Sequence, residues 1–326
     1  MSWRRFWSGA AVAHLLFVAI LLALFRFVGE RSPLVAILLY APRLAYGFPL
    51  IATVPALARR GAFLTLPLAT AALILGPLMG LQLHLPRAGK PSIRVLTYNV
   101  WFGYRDPEAI AREVREAAPD VVVFEAAAHA ADIALQRPPF AGFHYLHQGS
   151  FVVASRFPMR LVAEGRIVSA RVGAPWVRFA VDSPLGTLDL FAVHPHSPRS
   201  VFDQARHGRL RALDPERAFP FLDKQLGEID AAVREAGPLR VVAGDFNVPG
   251  GSALLAGRFA GTEDAFASAG NGFGYTFPCG KRVVPWMRLD RVLLGPALAA
   301  TSARVVGGAG SDHRPLVVEI AARSSE

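Results

Sequence analysis

The chain has 326 residues, 52% of them hydrophobic, and 35 Lys or Arg against 25 Asp or Glu, for a net charge of +10. This length suits two folding units at roughly 100–200 residues each, and the single cysteine, Cys279, excludes an intrachain disulfide and a cysteine-built zinc cluster. The charge is uneven: residues 1–90 hold nine Lys or Arg and one acid, Glu30, so the rest of the chain carries only +2 and gives no electrostatic footprint for tight duplex binding.

The apolar excess lies at the N-terminus. Residues 7–25 and 61–86 contain no Asp, Glu, Lys or Arg, and each run is close to or above the ~20 apolar residues that a membrane span requires. Residues 33–57 are apolar apart from Arg43. A charge there must face a partner helix, snorkel, or mark a shorter or re-entrant segment. About three transmembrane helices are therefore predicted. Arg4 and Arg5 ahead of the first run would also fit a signal peptide, but the long run and the two apolar segments behind it favour an uncleaved anchor. Arg4, Arg5, Arg59 and Arg60 flank spans on one side, which the positive-inside rule makes cytoplasmic. Three spans then put everything after about residue 88 on the non-cytoplasmic side. Arg87, Lys90 and Arg94 run against that orientation, and two spans would reverse it.

Residues 86–92, PRAGKPS, read as a polar linker. Beyond it, strand-length apolar runs alternate with amphipathic stretches. Strands are predicted at 93–100, 120–124, 150–154, 176–181, 187–193, 241–243, 289–294 and 316–320. A helix is predicted at 107–118, where Ile110 and Val114 are four apart, and another at 220–236, where Leu222, Leu226, Ile229 and Val233 share a face. Residues 195–219 and 268–287 read as long loops, which in a compact domain are usually functional or mobile. The mixture implies an α/β or α+β domain of about 230 residues with its own core.

Several strands end in polar residues: Asn99, Glu125, His194, and the pair Asp245 and Asn247 in VVAGDFNVPG. Asp290 opens a late strand, and Asp312 and His313 precede the last one. Any one of these could be turn chemistry, since Asp and Asn bond nearby backbone. Alternation along an extended chain would put Asp245 and Asn247 on one face. Together the set is oxygen-rich, as Mg²⁺ prefers, and it includes histidines able to move protons or meet developing negative charge.

In the order TYN, an acidic strand end, AVH followed by prolines, GDFN, LDRVLL and SDHRP, the chain resembles the endonuclease/exonuclease/phosphatase superfamily over residues ~93–322. That superfamily includes pancreatic-type DNase, exonuclease III, neutral sphingomyelinases and inositol polyphosphate 5-phosphatases. The resemblance implies an α/β fold, a DNase-I-like two-sheet β-sandwich flanked by helices. Residues 1–88 are then the membrane-spanning segment and 89–326 the catalytic domain. It implies hydrolysis of phosphoester bonds with Mg²⁺ or Mn²⁺ by in-line attack of water on phosphorus. Asn99, Glu125 and Asp312 would hold or tune the metal. Asp245 would align or deprotonate the water and Asn247 would contact the phosphate. Asp290 would orient His313, which stabilises the pentavalent phosphorus or moves a proton, and His194 would contact the phosphate or protonate the leaving oxygen. The expected partners are the lipid bilayer and a phosphoester (a lipid head group, nucleic acid or a small ester), with no obligate protein partner.

One departure stands out. The family reads PDVVxLQE, whereas PDVVVFEAA brings Glu125 one position early and puts Ala126 where the family glutamate belongs. A one-residue shift reverses a strand's faces, so a bulge must correct it, Glu125 must reach the metal differently, or the metal site is weakened. Ala126 thus supports a second hypothesis, a catalytically degenerate domain that binds phosphorylated ligands or partners. Other features have plainer readings. His194 and His196 make only a weak zinc signal. His144, His147 and His207 read as surface or loop residues, and NGFGYTFP as a packed loop rather than a stacking platform. Arg199, Arg206 and Arg209 read either as a solvated face or as cations that draw in an anionic substrate.

Overall fold

The computed structural model of the chain describes residues 3–59, 64–85, 93–103, 105–127, 140, 142–166, 173–199, 201–202, 215–280 and 282–323. The linker at 86–92 and Arg206, His207 and Arg209 lie outside them. The chain forms two units, residues 1–81 with 249–256, and residues 82–248 with 257–326.

The first unit is helical. Helix α1, Trp3–Phe27, contains the one described helix long and apolar enough to cross a membrane, Arg5–Phe27. The second predicted span is two helices, α2 (Pro33–Tyr40) and α3 (Pro49–Ala58), bent by 89° at the break. Pro42 accounts for the break. It cannot donate a helical hydrogen bond and it pushes Ala41 into extended backbone, ψ 158°. The third, Thr65–Leu78, comprises α4 (Thr65–Leu73) and a π turn, shorter than a span needs. Among the described residues one helix is long and apolar enough to cross a membrane, or two if the bent pair is one span, so the expectation of about three transmembrane helices is unconfirmed.

Arg43 lies in that break and is buried. Its guanidinium donates to Leu39 O (3.3 and 3.4 Å), Leu78 O (2.6 Å) and Gly250 O (2.7 Å). It thereby satisfies carbonyls that broken helices leave without partners. Buried Glu30 accepts a 2.5 Å bond from Ser252 Oγ. Gly29, at φ +49°, lies so close to Ala253 that an added Cβ would come within 2.7 Å of the alanine Cβ. Segment 249–256 thus belongs to the helical unit, an insertion that the sequence did not announce.

Among the described residues the second unit has twelve strands: β1 (Ile93–Asn99), β2 (Val121–Glu125), β3 (His144–Gln148), β4 (Phe151–Ser155), β5 (Met159–Glu164), β6 (Trp176–Ser183), β7 (Gly186–Val193), β8 (Arg240–Asp245), β9 (Glu263–Asp264), β10 (Asp290–Leu294), β11 (Leu298–Val305) and β12 (Leu316–Ala322). They form two mixed six-stranded sheets, ordered β11-β12-β1-β2-β4-β3 and β5-β6-β7-β8-β10-β9. Alternate residues of both sheets, among them Val95, Val123, Val153, Phe179, Leu190, Val241 and Val292, make the core between them. The outer face of the first sheet packs Leu96, Tyr98, Val122 and Phe124 against Ile110, Val114 and Ala117 of α5, Pro107–Ala117. Asp106 caps α5 by accepting from Ala109 N, and Ala118 ends it in a left-handed conformation. Helix α6, Pro215–Arg234, begins five residues before the predicted start and carries Pro220 inside it. Its buried stripe is Leu222, Leu226, Ile229 and Val233, as expected. His144 and His147 are on the exposed β3 rather than in a loop.

Candidate active site

The topology brings the polar strand ends together. β1 and β2 run parallel with Asn99 opposite Glu125, and β7 and β8 run parallel with Val193 opposite Gly244. β10 is antiparallel to β8 with Asp290 opposite Asp245, and β12 is antiparallel to β1 with Leu316 opposite Thr97. The carboxyl ends of β1, β2, β7 and β8 and the amino ends of β10 and β12 therefore lie at one end of the sandwich. Gly244 permits this closeness: its φ is +152°, and a Cβ there would collide with the Val193 carbonyl.

Asp245 is the hub. Its Oδ1 accepts the Asn247 backbone N–H (2.8 Å), and its Oδ2 accepts from Asn99 Nδ2 (2.9 Å). His194 Nε2 and His313 Nε2 lie 3.8 and 3.6 Å from the same Oδ2. His313 Nδ1 is 2.8 Å from Asp290 Oδ2, which fixes that nitrogen as the donor. Ser311 Oγ donates to Asn99 O (2.7 Å) and accepts from His313 N (3.3 Å). Trp101 N–H donates to Asn99 Oδ1 (3.1 Å), so the carboxamide presents its amino group to Asp245. Asn247 departs from the expected alternation. β8 ends at Asp245, and Asn247 has φ +55° in a turn closed by the Asp245 carboxylate. Its Nδ2 donates to Pro195 O (3.0 Å), beside His194.

The sequence profile of the Endonuclease/Exonuclease/phosphatase family matches residues 96–313, two thirds of the chain and every polar side chain of the site named above. The chain belongs to this family. Solved structures share the fold. D. rerio TDP2 complexed with single-strand DNA product is 19% identical with a TM-score of 0.51, covering 70% of this chain and 98% of that one. A Bacteroides thetaiotaomicron mannosyl-6-phosphatase is 15% identical with a TM-score of 0.50, covering 71% of this chain and 100% of that one. An endonuclease/exonuclease/phosphatase family protein of the same organism is 16% identical with a TM-score of 0.50, covering 71% and 98%. At these identities the likeness shows the fold alone. No curated protein matches the sequence.

Within this family member the misplaced glutamate is accounted for by register. The β1–β2 and β2–β4 pairings carry no shift, so no bulge corrects the strand. Glu125 instead stands beside Asn99, on the face that also carries Thr97, and accepts a 2.5 Å bond from Thr97 Oγ1. Ala126 is already in the following turn, at φ +49°. Thr97 was passed over by the sequence reading, although its place two residues before Asn99 puts it on the same face.

The electrostatics are those of crowded, dry carboxylates. Burial, then Asp290 and Asp245, push the Glu125 carboxyl well above the usual range, with the Thr97 bond opposing. Burial also raises Asp290, against the pull of His313. Burial alone would lower His313, but Asp290 and Asp245 outweigh it and hold the imidazole up to about 10. His194 goes the other way. Burial lowers it, and the partial compensation from Asp245 does not restore it.

Asp245, Asp290 and His313 offer ligand atoms all within 4.8 Å of one another. Glu125 Oε2 and Asp290 Oδ1 are buried with no hydrogen-bond partner among the described residues. Orphaned carboxylate oxygens call for a compensating group, so the donor set fits a hard divalent cation. Of the expected trio, Glu125 stands beside Asn99 in the β1–β2 register. Asn99 is turned to Asp245, and Asp312 Oδ2 is bonded by Arg199 Nη1 (2.8 Å). His196 stands apart, with its N–H on Gln225 Oε1 and its ring against Phe221. Phe277 of the aromatic loop packs on His313, ring centres 4.7 Å apart, while Phe273 and Tyr275 stack on each other.

Proposed function

We propose that the chain is a membrane-anchored, divalent-metal-dependent hydrolase of phosphoesters. The observation that carries this reading is the buried group of Asp245, Asp290 and His313 with the orphaned Glu125 oxygen beside it. Glu125 would hold Mg²⁺ or Mn²⁺, with Asn99 or Asp312 completing the set. When bound, the ion supplies positive charge to the phosphoryl oxygens. Asp245, a carboxylate among donors, orients and deprotonates the attacking water. Asp290 holds His313 in its protonated form, so that Nε2–H meets charge developing on phosphorus-bound oxygen. His194, kept neutral by burial, contacts the phosphate or exchanges a proton with the leaving oxygen, and Asn247 fixes the phosphate or the strand end. The alternative, a catalytically degenerate domain that binds phosphorylated ligands, is the weaker reading, because Glu125 stands beside Asn99 and its charge is felt by Asp290 and Asp245.

Helix α1 supports the anchor, and with α1 as the crossing helix Arg4 and Arg5 at its start support a non-cytoplasmic catalytic unit. A lipid head group, nucleic acid or a small phosphoester remains the substrate class. The test is hydrolysis of bis-p-nitrophenyl phosphate and p-nitrophenyl phosphate by the full chain in detergent, with Mg²⁺, Mn²⁺ or EDTA. Turnover abolished by EDTA, and reduced about 10²–10⁴-fold in Asp245→Asn and His313→Ala, is expected. Undiminished turnover in folded variants would refute the assignment.

A further inference from the structure

Trp101 and Phe102 follow the Asn99 strand end at φ 45° and 55°. Bulky residues are rarely left-handed, because the conformation is strained for them. Two in succession are held here by Trp101 N–H on Asn99 Oδ1 and Phe102 N–H on Ala126 O (2.6 Å). The strained turn sets the Trp101 indole beside two guanidinium groups, Arg105 at 5.5 Å and Arg199 at 5.9 Å from the ring centre.

These cations border the same stretch of the site. Arg105 donates to Ser311 O (2.5 Å) and Cys279 O (2.7 Å). Both partners are neutral carbonyls, and no carboxylate is within ion-pair distance of Arg105 among the described residues. Arg199, its side chain 50% exposed, shares its charge with Asp312. Two like charges at one indole repel, and an anion between them would relieve this. A guanidinium presents a planar fork of donors that matches a phosphate. The interior of the site is acidic and the rim is basic, an arrangement that collects anionic substrate.

We propose that Trp101, Arg105 and Arg199 form a subsite for a second phosphate group of the substrate, apart from the phosphate that is cleaved. This rests on the phosphoester reading above and narrows it to substrates carrying two phosphates. Arg105 supplies the uncompensated charge, Trp101 fixes its direction, and Arg199 turns toward the ligand from Asp312.

The experiment is calorimetric binding of thymidine 3′,5′-bisphosphate and thymidine 5′-monophosphate to the full chain in detergent, read as the ratio of the two Kd values. The wild type is expected to bind the bisphosphate about tenfold more tightly or better. Arg105→Gln should bring the ratio to about one, and Arg105→Lys should keep most of the preference, because the charge remains. A general loss of fold would weaken both ligands together, and the lysine variant guards against it. A wild-type ratio near one, or a preference that persists in Arg105→Gln, would overturn the subsite. Binding needs no turnover, so the two proposals fail separately. A chain that prefers the bisphosphate without hydrolysing any ester sinks the hydrolase, and one that hydrolyses esters with no such preference sinks the subsite.

Discussion

Each oxygen of Asp245 has its own work: Oδ1 closes the turn at Asn247, and Oδ2 receives Asn99 and faces two histidines. The neighbouring Asp290 controls the charge on His313. The folded-state imidazole lies above its ordinary 6.5, at about 10, so its stabilising contribution is complete below about pH 6.5 and is lost as pH rises through about 10. Asp290→Asn removes the nearest carboxylate, and the His313 midpoint should fall by about 1–3 pH units. Histidine NMR titration, with His313→Ala giving the assignment, checks this; an unmoved midpoint would mean that Asp290 does not set the charge. At this scale the sequence was informative about which residues matter, because polar side chains at apolar strand ends are conspicuous. It was less informative about how they point. Alternation failed for Asn247 because a turn intervenes, and Glu125 seemed misplaced because motif spacing does not report the register of a parallel pair.

Strands buried on both faces, such as β2, β4 and β8, were legible as apolar runs, and the α6 stripe was legible by its period. The edge and outer strands β3 and β5 were not, since their residues are mostly exposed and carry no apolar alternation. The expected start of α6 at Pro220 follows its apolar face, and the five residues ahead of it, Pro215–Phe219, extend the helix past an interior proline. Gly244 shows what an element can require of a single residue. Gly244→Ala places a methyl group against the Val193 carbonyl at a backbone angle that L residues avoid. A loss of about 2–4 kcal/mol in urea unfolding is expected, as for other strained positions. A change under about 0.5 kcal/mol would show that the β7–β8 approach is slack.

At the scale of the whole chain, composition locates the helical unit and leaves out one segment of it. The apolar segment and the polar linker suggested a clean boundary near residue 88, yet residues 249–256, immediately beyond the GDFN motif, pack with the helices through Arg43, Glu30 and Gly29. No local sequence signal marks such an insertion, because it depends on contacts more than 200 residues apart in the chain. Arg43→Gln leaves three carbonyls short of a charged donor. It should cost about 2–4 kcal/mol in the detergent-solubilised full chain and speed hydrogen exchange across Gly250–Ala256. Unchanged exchange there would refute the role given to Arg43. For the same reason, activity is best measured on the full chain rather than on residues 88–326.

The most direct measurement compares phosphoester hydrolysis by wild type and Glu125→Gln as the concentration of Mn²⁺ or Mg²⁺ is raised. If the orphaned Glu125 oxygen is a metal ligand, the variant should need about 10–100-fold more ion for half-maximal rate and recover activity as the ion saturates. Equal metal dependence in the two proteins, or turnover indifferent to EDTA in both, would contradict a metal-dependent hydrolase built on Glu125.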